Sequence, residues 1–185
     1  MTIVELGAHV AHHSQRPVCV WMTGLSGAGK STIAGLLKQR LARLGRPAYL
    51  LDGDELRTGL NRDLGFTDTD RAENVRRVAE VARLMVNAGV IPIVALISPF
   101  LADRAIARSR FEPGEFLEIF VDAPLAVCEQ RDPKGLYARA RRGDLARMTG
   151  IDSRYEAPQR PELHLLTGEG QPGQSVERIL SLLQA

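Results

Sequence analysis

The sequence has only two cysteines, few aromatic residues and no long apolar run. Cys19 and Cys128 lack metal-ligand spacing and any disulfide framework, so we expect two buried, reduced thiols. No stretch reaches the roughly 18 apolar residues of a membrane span, and residues 1–16 lack the basic start and apolar centre of a signal peptide. These absences predict a cytoplasmic protein without membrane association.

The net charge of the chain is also small. The formal charge of +2 is too small for a protein that coats nucleic acid. A length of 185 residues with 44% hydrophobic residues predicts one compact domain over residues 1–185. Within it we expect residues 1–16 to be a mobile, solvated extension, because His9, His12 and His13 have no further ligand at metal-site spacing.

Apolar runs alternate with longer segments of helical period. The runs span residues 18–23, 48–51, 90–97 and 116–121, with a weaker fifth run at 163–167. This alternation predicts βαβ units in an α/β fold, with a mostly parallel five-stranded sheet between two helical layers. The unbroken run "VIPIVALIS" predicts that its strand is covered on both faces and lies centrally.

The segments between the runs differ in character. Apolar residues at three- and four-residue spacing predict helices over 33–44, 75–86 and 176–183. On the outer face of the second helix we expect solvent-exposed pairing among Glu73, Arg76, Glu80 and Arg83. Residues 131–160 are rich in arginine, glycine and proline, with poor means of burying themselves. They predict a mobile basic lid, with a solvated charged loop as the alternative.

The segment "GLSGAGKS" at residues 24–31 matches G-x-x-x-x-G-K-[ST]. It follows an apolar run and opens an amphipathic helix, so backbone N–H groups converge on an anion; a chance glycine-rich turn is the alternative. In the resulting P-loop, Lys30 would neutralise ATP phosphate oxygens and the Ser31 hydroxyl would ligate Mg²⁺. The predicted ATP-binding residues here are Gly24, Leu25, Ser26, Gly27, Ala28, Gly29, Lys30, Ser31 and Thr32.

Two carboxylates follow the next predicted strand, in "LLDGDELR". A carboxylate at the carboxyl edge of a parallel sheet can orient an acceptor hydroxyl, take its proton or ligate the metal. We predict such a catalytic and metal-binding role for Asp54, with helix capping as the alternative. For Asp52 the two roles stay open.

Farther along, "GFTDTDRAENVRR" places Arg71 and Asn74 on the buried face of the second helix. An inward guanidinium near a nucleotide site suits bidentate recognition of a sulfate or phosphate. Arg76, on the outer face, fits a plain helix ion pair, and Arg77 is undecided.

Taken with "RDPKGLY" and "TGIDSRYEAP", these motifs resemble the adenylylsulfate kinase family (APS kinases) over about residues 17–161. The resemblance implies ATP-dependent phosphorylation of the 3′-hydroxyl of adenosine 5′-phosphosulfate (APS), giving 3′-phosphoadenosine 5′-phosphosulfate and ADP in sulfate assimilation. It also implies a homodimer. It leaves open whether the chain works alone or beside a sulfurylase partner.

The resemblance assigns further site residues. Arg131 would contact ATP, and Ser98 would be an active-site residue, as a phosphoserine or, in our interpretation, as a substrate contact. Phe66 would stack on the acceptor adenine, although an isolated phenylalanine is commonly a core residue. Met148 stands where the family has phenylalanine. The implied contacts to APS are Arg57, Phe66, Arg71, Asn74, Ile97, Ser98, Lys134 and Met148.

Three alternatives stay open at this point. Another small-molecule P-loop kinase, for gluconate or a nucleoside monophosphate, would keep the P-loop and the basic lid. A non-catalytic nucleotide-binding module would lack the loop lysine or the carboxylate, yet Lys30 and Asp54 are both present. A nucleic-acid ATPase fits poorly, because the chain lacks the length for a second motor domain. The sequence does not locate the pocket for the ATP adenine.

Overall fold

A computed structural model describes residues 16–184 of the chain. The expectation for the N-terminal extension with its three histidines therefore lies almost entirely outside the described residues. A strand lies on each of the five predicted apolar runs, and β2 and β4 extend one residue past theirs. The strands are β1 (Cys19–Thr23), β2 (Ala48–Asp52), β3 (Ile91–Ala95), β4 (Phe116–Asp122) and β5 (Leu163–Leu166).

The sheet is parallel throughout, with the strand order β2-β3-β1-β4-β5. This confirms the predicted α/β fold. The central strand, however, is β1 and not β3, so the prediction from "VIPIVALIS" was wrong on position. All five residues of β3 are nevertheless buried. An unbroken apolar run indicates that helices cover the strand on both faces of the sheet. A strand next to the centre is covered as fully as the central strand.

Helices pack on both faces of the sheet. They are α1 (Lys30–Arg43), α2 (Gly53–Thr58), α3 (Asp68–Asn87), α4 (Leu101–Arg108), α5 (Leu125–Arg131), α6 (Leu136–Arg141) and α7 (Pro172–Leu182). Helices α1 and α7 contact each other over one face, and α3 and α4 over the other. A hydrophobic core lies on each face of the sheet, and alternate residues of β1 point into one or the other. Val20 and Met22 belong to one core, and Cys19 and Trp21 belong to the other. The predicted three-layer arrangement is confirmed.

Local signals fix the ends of α3, the longest helix. Thr67 and Asp70 form a reciprocal capping box at its start, and Gly89, with φ of 82°, follows its end. On its outer face Glu73 pairs with both Arg76 and Arg77. The predicted pairing of Glu80 and Arg83 within the helix was wrong. Glu80 binds Arg110 and Arg83 binds Glu115, because the chain after α4 lies within reach.

The basic region 131–160 is better packed than its composition suggests. Three of its thirty residues are buried, and the others are half-buried or exposed. Tyr137 and Met148 are almost fully buried in the core beneath α1, and the Tyr137 hydroxyl donates to the Ser26 carbonyl. Apolar residues spaced among the arginines point inward while the charged side chains stay in solvent. We keep the name lid region for residues 131–160.

Both cysteines are buried and unpaired, as predicted. Burial raises the pKa of each thiol, so both stay protonated near neutral pH. Across residues 16–184, no helix has the length and apolarity needed to cross a membrane.

Candidate active site

One cavity of about 900 Å³ runs along the carboxyl edge of the sheet. That is near the upper end of the usual range for ligand pockets. All but two of the predicted site residues border it. The bordering residues are Ser26, Gly27, Ala28, Gly29, Lys30, Ser31, Thr32, Asp54, Arg57, Phe66, Arg71, Asn74, Ile97, Ser98, Arg131, Lys134 and Met148.

Gly24 and Leu25 do not border the cavity, and their assignment as ATP contacts stays a prediction. Gly24, with φ of 149°, lies against β4, where an added Cβ would stand 2.1 Å from the Val121 carbonyl oxygen. Leu25 packs its side chain on the core. These two residues shape the P-loop, and the residues after them face the cavity.

Lys30 is the first residue of α1 and is buried beneath the loop. Its ammonium donates to the carbonyls of Gly24 and Leu25, at 2.9 and 2.8 Å. Burial, reinforced by the nearby charge of Lys134, lowers the pKa of Lys30 to about 8. The P-loop therefore holds a desolvated cation beside the backbone N–H groups that open α1.

Two acidic side chains at the end of β2 make different contacts. Asp52 caps α2 by accepting from the Asp54 N–H, and it also accepts from the Ser31 hydroxyl at 2.6 Å. The structure shows the capping role of Asp52, and its catalytic or metal-binding role stays a prediction. Asp54 makes no capping bond; its carboxylate forms an ion pair with Lys134 of the lid region. Opposite charges thus meet across the cavity.

Phe66 is not a core residue. Its side chain is 49% exposed, and the guanidinium groups of Arg57 and Arg71 lie 4.3 and 5.8 Å from the ring centroid. Arg57 also donates to the carbonyls of Leu64 and Gly65, which fixes the loop before α3. An exposed aromatic ring beside two cations suits a planar, anionic ligand.

Arg71 and Asn74 are buried on α3, as their helical face predicted. Arg71 donates to the carbonyl of Phe66 and, at 2.7 Å, to the carbonyl of Arg147 in the lid region. Burial lowers the pKa of Arg71. The side-chain oxygen of Asn74 accepts a hydrogen bond from the side-chain amide of Asn61 at 3.0 Å. One helix turn therefore connects the loop, the cavity and the lid region.

Ser98 follows β3 in a left-handed conformation with φ of 38°, which is unusual for a residue other than glycine. Its hydroxyl accepts from the Trp21 indole N–H at 3.2 Å, and its carbonyl accepts from Arg104 at 2.7 Å. Arg104 is itself buried and paired with Glu118. Several buried partners therefore hold Ser98 in a strained backbone position.

Sequence reasoning missed one wall of the cavity, which is formed by the end of β5, the loop after it and the first turns of α7. Arg131 connects this wall to the P-loop by donating to the carbonyls of Thr167 and Gly27. The weak fifth apolar run could have indicated this wall. A parallel strand beside β4 has its carboxyl end at the same edge of the sheet, so the residues after it lie at the cavity. The residues of this wall are Leu166, Thr167, Glu169, Gly170, Gln171, Pro172, Gln174, Ser175 and Arg178.

Met148 borders the cavity but is 5% exposed and belongs to the core under α1. Its backbone N–H and that of Arg147 donate to the Asp152 carboxylate, which closes a tight turn. Only an edge of the thioether therefore reaches the site.

Comparison with protein families matches residues 16–166 to the model described as adenylylsulphate kinase. The chain is 54% identical over 181 residues to an adenylyl-sulfate kinase of Aeromonas hydrophila, covering 98% of this chain and 92% of that one. It is 58% identical to the bifunctional enzyme CysN/CysC of Xylella fastidiosa. That match covers 95% of this chain and 29% of the longer one.

Solved structures agree. The Mycobacterium tuberculosis APS kinase CysC in complex with AMPPNP and APS superposes with a TM-score of 0.89 and 46% identity, covering 92% of this chain and 99% of that one. The hexameric APS kinase from Thiobacillus denitrificans gives a TM-score of 0.69 and 34% identity, over 92% of this chain and 29% of that one. By sequence and by structure, the chain belongs to the adenylylsulphate kinase family.

Proposed function

We propose that the protein transfers the γ-phosphoryl group of ATP to the 3′-hydroxyl of adenosine 5′-phosphosulfate, giving 3′-phosphoadenosine 5′-phosphosulfate and ADP. The observation that carries this proposal is one continuous cavity, which joins the P-loop at one end to the Phe66 ring beside two arginines at the other. Two nucleotides can enter it from opposite ends with their reacting groups between them. We call these ends the donor half and the acceptor half.

In the donor half, the P-loop amides and Lys30 would hold the ATP phosphates. The adenine would lie between Arg131 and the wall formed by residues 166–178, because the Arg131 guanidinium is fixed there and offers a flat cationic face. Lys30 and Arg131 together would offset the charge on the phosphates as the phosphoryl group moves.

The donor half also fits a magnesium ion, which neutralises phosphate charge when bound with ATP. Hard cations take oxygen ligands, and here the Ser31 hydroxyl lies against the Asp52 carboxylate. The geometry favours Asp52 over Asp54 as the carboxylate next to Ser31. We therefore propose that Ser31 and Asp52 are the residues that would hold the magnesium ion.

Asp54 is then free to serve the acceptor. It lies between the two halves, in the first turn of α2, and is exposed to the cavity. We propose that its carboxylate orients the 3′-hydroxyl and receives its proton as the O–P bond forms. Lys134 is within contact of the same carboxylate and would approach the transferred phosphoryl group.

In the acceptor half, Phe66 would stack on the adenine of APS, and Arg57, Arg71 and Asn74 would donate to its phosphosulfate oxygens. Ile97 and Met148 would supply apolar edges. Ser98 is held by Trp21, so its hydroxyl hydrogen remains available to donate to the acceptor. We propose a contact role for Ser98 and no covalent phosphate.

Purified protein should test this function directly. With ATP and Mg²⁺ we expect rapid ADP formation with APS as acceptor, and little with gluconate or AMP. The phosphorylated product should carry its new phosphate at the 3′ position by phosphorus NMR. Preferred turnover of gluconate or AMP would identify another small-molecule kinase, and nucleotide binding without turnover would identify a non-catalytic module.

We also propose that residues 1–185 act as one kinase unit that forms a homodimer in the cytoplasm, where ATP is supplied. Exposed apolar side chains on the neighbouring helices α3 and α4, Leu84 and Ile106, support self-association. The longer bifunctional relative supports a sulfurylase as partner, because adenylyl transfer to sulfate must supply APS. Sedimentation at micromolar concentration tests the assembly, and a monomer mass would contradict it.

A further inference from the structure

Two asparagine side chains meet beneath the acceptor half. Asn61 lies in the loop between α2 and α3, has no exposed surface and does not border the cavity. Its side-chain nitrogen donates to the side-chain oxygen of Asn74 at 3.0 Å. Its backbone is fixed as well, because the Asn61 N–H donates to the Leu56 carbonyl. Asn61 is therefore held behind a residue that does face the ligand site.

This contact determines which end of the Asn74 amide reaches the cavity. An amide has one acceptor oxygen and one donor nitrogen, and here the oxygen is engaged by Asn61. The nitrogen of Asn74 is left for the cavity. Asn74 lies on the same face of α3 as Arg71, so this part of the acceptor half presents hydrogen-bond donors to the ligand.

The Asn61 amide is an unfavourable choice for packing alone. Its oxygen is buried and accepts no hydrogen bond from any residue in the range 16–184. A buried acceptor without a donor destabilises a protein, whereas an apolar side chain of similar volume removes that cost. A side chain chosen only to fill space here would be leucine.

We propose that Asn61 is a positioning residue, which holds the Asn74 amide with its N–H groups toward the acceptor. The acceptor half thereby selects a ligand whose facing atoms are hydrogen-bond acceptors, such as the oxygens of a phosphosulfate. The inference rests on the proposed function, because it takes APS as the ligand of this half.

The first test is Asn61→Leu. We expect KM for APS to rise about five- to tenfold, because the freed Asn74 amide no longer presents its donor reliably. KM for ATP should stay unchanged, and the melting temperature should not fall. Val78→Ala is the matched control: Val78 is buried on α3 away from the cavity, so its truncation should lower the melting temperature and leave both KM values unchanged.

Asn61→Asp keeps the shape and provides a second variant if leucine prevents folding. An ionised carboxylate accepts but cannot donate, so it would turn the Asn74 N–H inward. KM for APS should rise at least as much as with leucine, and less at lower pH, where the protonated acid regains a donor.

A double-mutant cycle separates positioning from general structural damage. In an Asn74→Ala background, Asn61→Leu should cause no further increase in KM for APS, because its effect passes through Asn74. Additive effects would overturn the inference, as would an unchanged KM for APS in both Asn61 variants of an active enzyme. Failure of the wild-type protein to phosphorylate APS would instead overturn the proposed function itself.

Discussion

The two halves of the cavity are built in opposite ways. The phosphate site of the donor half comes from one continuous segment, the P-loop, whose backbone turns at Gly27 and Gly29 and whose Lys30 binds carbonyls of its own loop. The acceptor half is assembled from distant segments by side chains. Arg71 on α3 binds the carbonyl of Arg147, 76 residues away, and Trp21 on β1 binds Ser98, 77 residues away.

The two halves should therefore respond differently to mutation. A local loop keeps its shape as long as its glycines and its helix remain, so changes in it should act on phosphate chemistry. An assembled pocket depends on the rigidity of several elements, so changes there should act mainly on acceptor binding. The following predictions test that separation.

The largest effect should come from the donor half. Lys30→Ala removes the buried P-loop cation, which we propose faces the ATP phosphates, so we expect kcat/KM to fall by about 10³. Isothermal titration should also show weakened ATP binding. Normal ATP affinity with lost turnover would mean that Lys30 acts only in the transition state, and near-normal turnover would remove its role.

Asp54→Asn, between the halves, should lower kcat by about 10², because the amide keeps the shape but cannot take the hydroxyl proton. Binding of both nucleotides should remain measurable by titration. Asp52→Asn, as comparison, should raise the magnesium concentration needed for half-maximal rate. If the two variants behave alike, the division of roles between the two carboxylates is wrong.

Arg71→Ala should act on the acceptor side alone. Loss of a buried guanidinium should raise KM for APS about tenfold or more, with KM for ATP nearly unchanged. The control is Arg76→Ala, five residues along the same helix, whose exposed pair with Glu73 should matter little. Equal damage to both KM values by Arg71→Ala would break the separation of the halves.

The pH dependence of ATP binding should follow Lys30. Its pKa of about 8 lies below the ordinary 10.5, so above about pH 8 the free enzyme loses the proton that the phosphates require. The dissociation constant for ATP should then rise by up to about tenfold per pH unit. Lys134→Gln should move this rise to higher pH, because a neighbouring positive charge is removed.

Stability should change with pH in the opposite direction. Between pH 8 and 10.5 the unfolded lysine binds more protons than the folded one, so the contribution of Lys30 to stability rises across that window. The wild-type minus Lys30→Met difference in melting temperature, measured without ATP, isolates this contribution. A flat difference would mean that the pKa of Lys30 is not lowered.

The smallest effect should belong to Ser98→Ala, which we expect to retain partial activity with KM for APS raised a few-fold, about the value of one neutral hydrogen bond. Enzyme incubated with labelled ATP alone should carry no label on Ser98. A stable phosphoserine that transfers its phosphate to APS would contradict the contact role.

Features whose residues are adjacent in the chain could be predicted from the sequence. Strand positions follow from apolar runs, and the P-loop from a motif whose residues are adjacent in the chain. The carboxyl-edge position of Asp52 and Asp54 follows from the parallel sheet. These signals are local, or become local once the fold class is known.

Tertiary information was needed for the rest. The contact of Ser31 with Asp52 distinguishes the two aspartates, and no spacing encodes it. Likewise, the burial of Tyr137 and Met148 depends on the P-loop and core that the lid region covers. Asn61 escaped notice because a buried asparagine in a loop resembles an ordinary turn residue until its partner is seen.

The bond between Trp21 and Ser98 has an optical consequence. Trp21 is the only tryptophan in the sequence, so all indole emission of the protein originates at one point behind the acceptor half. An indole that is shielded from solvent emits at short wavelength, and its intensity responds to the groups around its N–H. Fluorescence of the unlabelled enzyme should therefore report acceptor binding in real time, while donor binding alone stays spectrally quiet.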